Sequence, residues 1–274
     1  MNQLKNILVA VDFTDGARSA LQQAVRLARR NRARLHVLHV LDELDLADAA
    51  SAMRQPEGVF EQLALTGAQT ALKKLMRKVR TSRDTRAEVI KGNGIDLILK
   101  NLDAKSADLL VMGVNGGTGG GAGVLSTRSL RKVDGKVLLI EPTHSRQFKR
   151  IVAGIDFSET AKEVVAQARH MAERDRAELH FVHVFFAPWR RFGFSAPSLQ
   201  RSLDYARDHR KQKLARLREF VGNAGSRREQ FHVIDADGAG EGLVRFARKQ
   251  NADLIVLGRH GRTELGYLLM GSTV

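Results

Sequence analysis

Two stretches decide how this chain is read: "NILVAVDFTDGARSALQQAVRLARRNRARLHVLHV", residues 6–40, and "RIVAGIDFSETAKEVVAQARHMAERDRAELHFVHV", residues 150–184. They align without a gap, so Asp12 falls on Asp156, His36 on His180, His39 on His183 and Val40 on Val184. Further on, "ADLLVMGVNG" from Ala107 matches "ADLIVLGRHG" from Ala252. A period this long means a duplicated domain and not a solenoid of short repeats. The expected division is 1–145 and 146–274.

Within each copy, short apolar runs alternate with helical patterns. "ILVAV" and "IVAGI" precede the helical "ARSALQQAVRLARR" and its counterpart, and "RLHVLHV" and "ELHFVHV" follow. Long amphipathic helices are expected near Pro56–Arg80 and Ser198–Val221, and third strands near Ala87–Ile90 and Phe231–Ile234. Strands apolar at consecutive positions suit a parallel sheet covered on both faces. The alternation predicts an α/β fold with two tandem doubly wound domains. Copy one closes with a short helix from about Thr127 and a last strand, "KVLLIEP". Thr127 aligns with Ser272, so copy two has no counterpart of Leu130–Pro142, and its sheet is expected to be incomplete. Either the sequence stops short of a full second unit or copy two is naturally incomplete; the integrity of its glycine motif favours the first.

The bulk numbers narrow the class. The 274 residues contain no cysteine, which leaves out disulfides and thiolate metal sites. The start, "MNQLKNILVAVDF", reads as a first strand and not a signal peptide. No apolar run reaches the ~18 residues of a membrane span, so the cytoplasm is the expected location. The formal net charge is +15. Basic residues spread along the helices read first as solvated faces, with nucleic-acid contact as the less favoured alternative.

In a doubly wound sheet, ligands sit beyond the carboxyl ends of the strands, where strand order reverses. Asp12 and Asp156 lie at the ends of the first strands, Gly113 and Gly258 at the ends of the fourth. Copy two continues as Gly258-x2-Gly261-x9-Gly271-Ser272. Glycines permit tight turns and close backbone approach, consecutive N–H groups form an anion nest, and a hydroxyl at a helix start suits phosphate. Two ordinary strand-end turns are the alternative.

These residues resemble the universal stress protein family in its tandem-domain form, through "VAVDFTDGARSAL", "AGIDFSETAKEVV", "LHVLHV" and "GRHGRTELGYLLMGST". The resemblance covers nearly the whole chain. It implies five-stranded parallel sheets in the order 3-2-1-4-5, with ATP or AMP, with or without magnesium, held at the strand ends. It implies that Asp156 and Val184 face adenine, that Leu257, Gly258, His260 and Gly261 line adenine, ribose and phosphate, and that Gly271, Ser272 and Thr273 hold phosphate. In copy one the matching positions are Asp12, Val40, Met112, Gly113, Asn115, Gly116, Ser126, Thr127 and Arg128. Ser126 stands where the pattern has glycine, and the loop "GVNGGTGGGAGVLST" lacks a basic residue. Copy two keeps the intact motif but not the helix whose start should cap the phosphates, so copy one has the helix with a weakened loop and copy two the loop without its helix; with the missing tail completed, copy two is expected to be the better site.

The resemblance implies a stress-response regulatory module that binds an adenine nucleotide without efficient turnover. No G-x-x-x-x-G-K-[ST] loop, G-x-S-x-G elbow or HExxH is present. The alternatives are a weak ATPase of the same fold and an interaction protein that ignores nucleotide. "KVLLIEP" is expected to mediate pairing of the two copies or a homodimer, and "LIVLG" of copy two is expected to be an open sheet edge. The histidines of "HVLH" and "HFVH" lie three apart on a strand, point to opposite faces and read as packing and not as a chelate. Asp42, Glu43, Asp45 and Asp48 read as a solvated loop and not a cation site. "FVHVFFAPWRRFGFSAP", from Phe181, reads as packing, with a lid or partner patch as the alternative.

Overall fold

The computed structural model describes residues 4–114, 133, 135–142, 144, 146–186, 199–223 and 226–258, with the backbone alone for 199–206. The chain forms two compact units, Met1–Arg146 and Gln147–Val274. The first runs β1 (Asn6–Ala10), α1 (Asp15–Asn31), β2 (Arg34–Leu41), α2 (Glu43–Ala52), α3 (Glu57–Val79), β3 (Arg86–Lys91), α4 (Gly94–Ala104), β4 (Leu109–Gly113) and β5 (Lys136–Ile140). The second runs β6 (Arg150–Gly154), α5 (Glu159–Asp175), β7 (Glu178–Phe185), α6 (Leu199–Val221), β8 (Glu229–Asp235), α7 (Ala239–Lys249) and β9 (Leu254–Val256).

Every strand pair is parallel, in the orders β3-β2-β1-β4-β5 and β8-β7-β6-β9. Both units are therefore doubly wound α/β domains, the second with four strands among the described residues. Ile7, Leu8 and Val9 of β1 are fully buried, as a central strand covered on both faces requires. Leu8, Leu38 and Leu110 pack with Ile98 and Leu102 of α4. Ile7 and Val9 alternate to the other face. In the second unit Val152 and Val182 meet Leu243 and Ala247 of α7, while Ile151, Ala153 and Phe181 cluster with Val164 of α5 and Leu217 of α6.

Helix starts follow their capping residues. The Thr14 hydroxyl accepts from the Ala17 amide at 3.2 Å, and the Ser158 hydroxyl accepts from Ala161 at 3.3 Å. Asp15 in the first turn and Arg29 and Arg30 in the last complement the α1 dipole. The acidic stretch after β2 is a helix, which corrects the expected loop: Asp42 caps α2 through the Leu44 amide at 3.0 Å, and its other oxygen accepts from Gly94 at 3.2 Å. Leu and Ala carry α2, and Glu43 and Asp45 sit where the helix dipole favours negative charge. β9 is three residues long and lies at an edge of its sheet among the described residues.

One side chain in each unit ties the two central strands together at their amino ends. Asp108 Oδ2 accepts from the amides of Lys5 at 2.6 Å and Asn6 at 2.8 Å. Asp253 Oδ2 does the same for Lys149 at 2.7 Å and Arg150 at 2.9 Å. Asp108→Ala leaves two amides without that acceptor and is expected to cost about 1–3 kcal/mol. Urea denaturation checks this, and Asp253→Ala is expected to act to a similar degree on the second unit. No change in the denaturation midpoint for either variant would count against the tie.

Candidate functional site

Each first strand leaves its sheet through Asp-Phe-[Thr/Ser], at residues 12–14 and 156–158. Asp12 Oδ1 accepts from the Thr14 amide at 3.1 Å and from its hydroxyl at 2.6 Å. Asp156 Oδ1 accepts from the Ser158 amide at 3.0 Å and hydroxyl at 2.6 Å. Between them, Phe13 and Phe157 take left-handed backbone angles, φ 64° and 63°, which are unfavourable for a bulky side chain. Both rings lie on a histidine, with centroids 4.3 Å apart for Phe13–His39 and 4.4 Å for Phe157–His183. The Nδ1 atoms of His39 and His183 lie 2.7 Å from the carbonyls of Val11 and Ile155. A carbonyl only accepts, so each Nδ1 carries a hydrogen.

Strand order reverses between β1 and β4, and between β6 and β9. Ala10 pairs with both Leu38 and Met112. Two residues further along, this register sets Asp12 level with Val40 on one side and just past Gly113 on the other. In the second unit, Gly154 pairs with Val182 and Ala153 with Val256. Asp156 is thereby level with Val184 and adjacent to the Leu257–Gly258 exit. The structure thus brings together Asp12, Val40, Met112 and Gly113, and likewise Asp156, Val184, Leu257 and Gly258. Met112 is a core residue, 3% exposed, and Leu257 packs with Val152 and Val182. Asn115, Gly116, Ser126, Thr127, Arg128, His260, Gly261, Gly271, Ser272 and Thr273 lie outside the described residues, as do 187–194 of the aromatic segment.

The two exits approach their neighbours differently. A Cβ on Gly113 would stand 2.3 Å from the Gly16 carbonyl carbon and 2.4 Å from the Ala17 nitrogen. β4 therefore leaves directly over the first turn of α1, and both segments need glycine there, at Gly16 and Gly113. In copy two Thr160 replaces Gly16, and its hydroxyl lies 2.9 Å from that of Ser158. There Gly154 replaces Ala10, and a Cβ on it would stand 2.7 Å from Leu257 Cδ2. The ring beside the Asp also differs. Phe13 is 38% exposed. Phe157 is covered by the Arg216 guanidinium at 4.4 Å and meets Phe220 edge-on at 5.6 Å. Neither phenylalanine was marked by its type; the repeated D-F-[ST] triplet was the available signal.

Two consecutive units of this kind, each with its reversal point beside an Asp, define a duplicated doubly wound α/β protein. The universal stress protein family matches residues 3–140 and 147–274, and the chain belongs to that family. Among solved structures, a universal stress protein from Archaeoglobus fulgidus DSM 4304 is similar, with a TM-score of 0.66 and 17% identity, over 98% of this chain and 92% of that one. A functionally unknown protein from Pseudomonas aeruginosa PAO1 has a TM-score of 0.63 and 17% identity, over 98% and 87%. At such identities the likeness is one of fold. No curated protein matches the chain.

Three further strand histidines are His36, His180 and His232, and His36 and His180 lie on the opposite sheet face from His39 and His183. His180 Nδ1 lies 3.1 Å from His232 Nε2 across β7 and β8, and Phe246 of α7 packs against both rings. No group of three metal-ligating side chains occurs among the described residues. Burial holds both imidazoles below their ordinary pKa, with the Arg150 charge opposing and the Glu178 charge favouring protonation of His180, and His180 opposing protonation of His232. The unfolded chain then binds more protons than the folded one just below pH ~6.5. This contribution is complete above pH ~6.5 and is lost as pH falls from there through the lowered folded values. NMR titration is expected to give midpoints under ~6.5 for both rings, and His232→Gln is expected to flatten the fall in melting temperature between neutral and mildly acidic pH. Midpoints at or above the free-imidazole value would overturn this.

Proposed function

We propose that the protein binds an adenine nucleotide, ATP or AMP, with or without magnesium, at the carboxyl ends of its sheets and acts as a stress-response regulatory module and not as an efficient hydrolase. The observation that carries this is the state of the two Asp carboxylates. Each commits Oδ1 to its own turn, and Oδ2 has no partner among the described residues. An oxygen held in this way accepts from an exocyclic amino group or a ribose hydroxyl without first being reoriented. Its position at the strand reversal is where open α/β sheets place their ligands. Membership of the universal stress protein family supports the reading. The second copy is the favoured site because its sequence keeps the full glycine pattern, G-x2-G-x9-G-S.

The test is calorimetric titration of the purified chain with ATP and with AMP, alongside mass spectrometry of any nucleotide released on denaturation. Asp156→Ala is expected to weaken binding by tenfold or more, about 1.4 kcal/mol. Ser158→Ala removes the cap but not Oδ2. It is expected to lower stability by about 1 kcal/mol and leave affinity within a few-fold. Asp12→Ala reports the first copy in the same way. No co-purified nucleotide and no heat with either ligand would sink the proposal and leave the interaction-protein reading.

A further inference from the structure

The net charge of this protein is not evenly spread. Residues 29–34 and 77–86 together carry nine basic side chains and one acid, Asp84. The first segment joins α1 to β2 and the second joins α3 to β3. The sheet brings them side by side, since β2 pairs with β3 from His36–Arg86 onward. Arg29 Nη2 also donates to the Arg80 carbonyl at 2.6 Å. Lys5 adjoins them, its carbonyl accepting from the Arg34 amide at 2.7 Å. Arg32, Arg34, Arg80, Arg83 and Arg86 are all exposed, and none pairs with a carboxylate among the described residues. Two acids of the adjoining strands are already engaged, Asp108 by the Lys5 and Asn6 amides and Glu88 by Lys105 at 2.9 Å.

The duplication supplies a control. The corresponding segments of the second unit, 173–178 and 219–230, carry four basic and five acidic residues. The same fold therefore forms without the charge. Basic residues in the last turns of α1 and α3 complement the helix dipoles. That reason does not reach Arg34, Arg83 or Arg86, which lie beyond both helices.

We propose that this end of the first sheet is a docking surface for the phosphate backbone of a nucleic-acid duplex. Eight of the nine cations are arginine, whose planar fork matches phosphate oxygens in pairs. The hydroxyls of Thr81, Ser82 and Thr85 stand among them and add neutral donors of the kind that contact phosphates. Neither segment contains an aromatic residue, so there is no stacking platform of the kind that holds single strands. The only apolar residues there are Ala33 and Val79, so nothing is available to insert into a bilayer. Binding is through charge and is independent of base sequence. The surface lies at the amino ends of the strands, opposite the Asp12 end, and operates whether or not a nucleotide binds there.

The experiment is fluorescence anisotropy of the full chain with a labelled duplex of about 20 base pairs, at several salt concentrations between about 50 and 200 mM. Affinity is expected to fall steeply with salt. The triple variant Arg34→Glu, Arg83→Glu, Arg86→Glu is expected to lose more than about tenfold and to show a shallower salt slope, by roughly 0.9 per phosphate contact removed. The triple variant Arg210→Glu, Lys211→Glu, Arg218→Glu changes the net charge equally on exposed positions of α6 and is expected to stay within about threefold. If circular dichroism shows the first triple unfolded, the Gln versions at the same positions replace it, with a smaller loss expected in the same direction. Equal losses in both triples, no binding at low salt, or binding to phosphatidylserine vesicles but not to duplex would each overturn the proposal.

Discussion

Each unit depends on the turn by which its central strand becomes a helix. An Asp carboxylate oxygen takes two hydrogen bonds from the residue two places on, and that residue's hydroxyl then caps the helix. This sets where α1 and α5 begin and therefore where their apolar faces meet the sheet. It also forces the intervening phenylalanine into the left-handed region, where a ring-on-ring contact with a strand histidine offsets the cost. The histidine is fixed in turn by the carbonyl just before the Asp. Strand end, turn, helix start and neighbouring strand are one connected unit, and the uncommitted carboxylate oxygen is at its centre.

The two copies hold this turn constant while changing what surrounds it. In the first, glycines at 16 and 113 let the exit of β4 press backbone to backbone against α1. In the second, Thr160 occupies the helix position, and the missing Cβ is on β6 at Gly154, where Leu257 fills the space. A glycine has moved from helix to strand, and a side chain has moved the other way. The Arg216–Phe157–Phe220 stack has no equivalent on exposed Phe13 among the described contacts. The same architecture therefore carries two differently packed reversal points.

Much of this was legible in the sequence. Apolar runs such as "NILVA" suited strands buried on both faces, and the internal repeat turned one such inference into two. The α2 helix was hidden because its acids suggested solvent or a cation, whereas Asp42 was a cap and the Leu and Ala residues were the signal. The left-handed phenylalanines were hidden because that conformation usually shows itself as glycine or asparagine. The roles of His39 and His183 were half visible: alternation gave their faces, but only the fold supplied the carbonyls they bind. The concentration of charge was out of reach, since segments about fifty residues apart in the chain became neighbours only when β2 paired with β3.

The tie between Asp108 and the amides of Lys5 and Asn6 also bears on how the protein is made. The central strand comes first in the chain, yet one of its two neighbours and its side-chain clamp come about a hundred residues later. During synthesis β1 can pair early with β2 but must wait for β4 before its second edge is covered, so the first unit closes late on the ribosome. The second unit repeats the same delay with Asp253. While the second unit waits for β9, the matching strand of the first copy, β4, has already been made. Gly16 and Gly113 fit the first exit to α1, whereas Gly154 leaves the space that Leu257 fills in the second, so the two exits are not copies of one another in their packing.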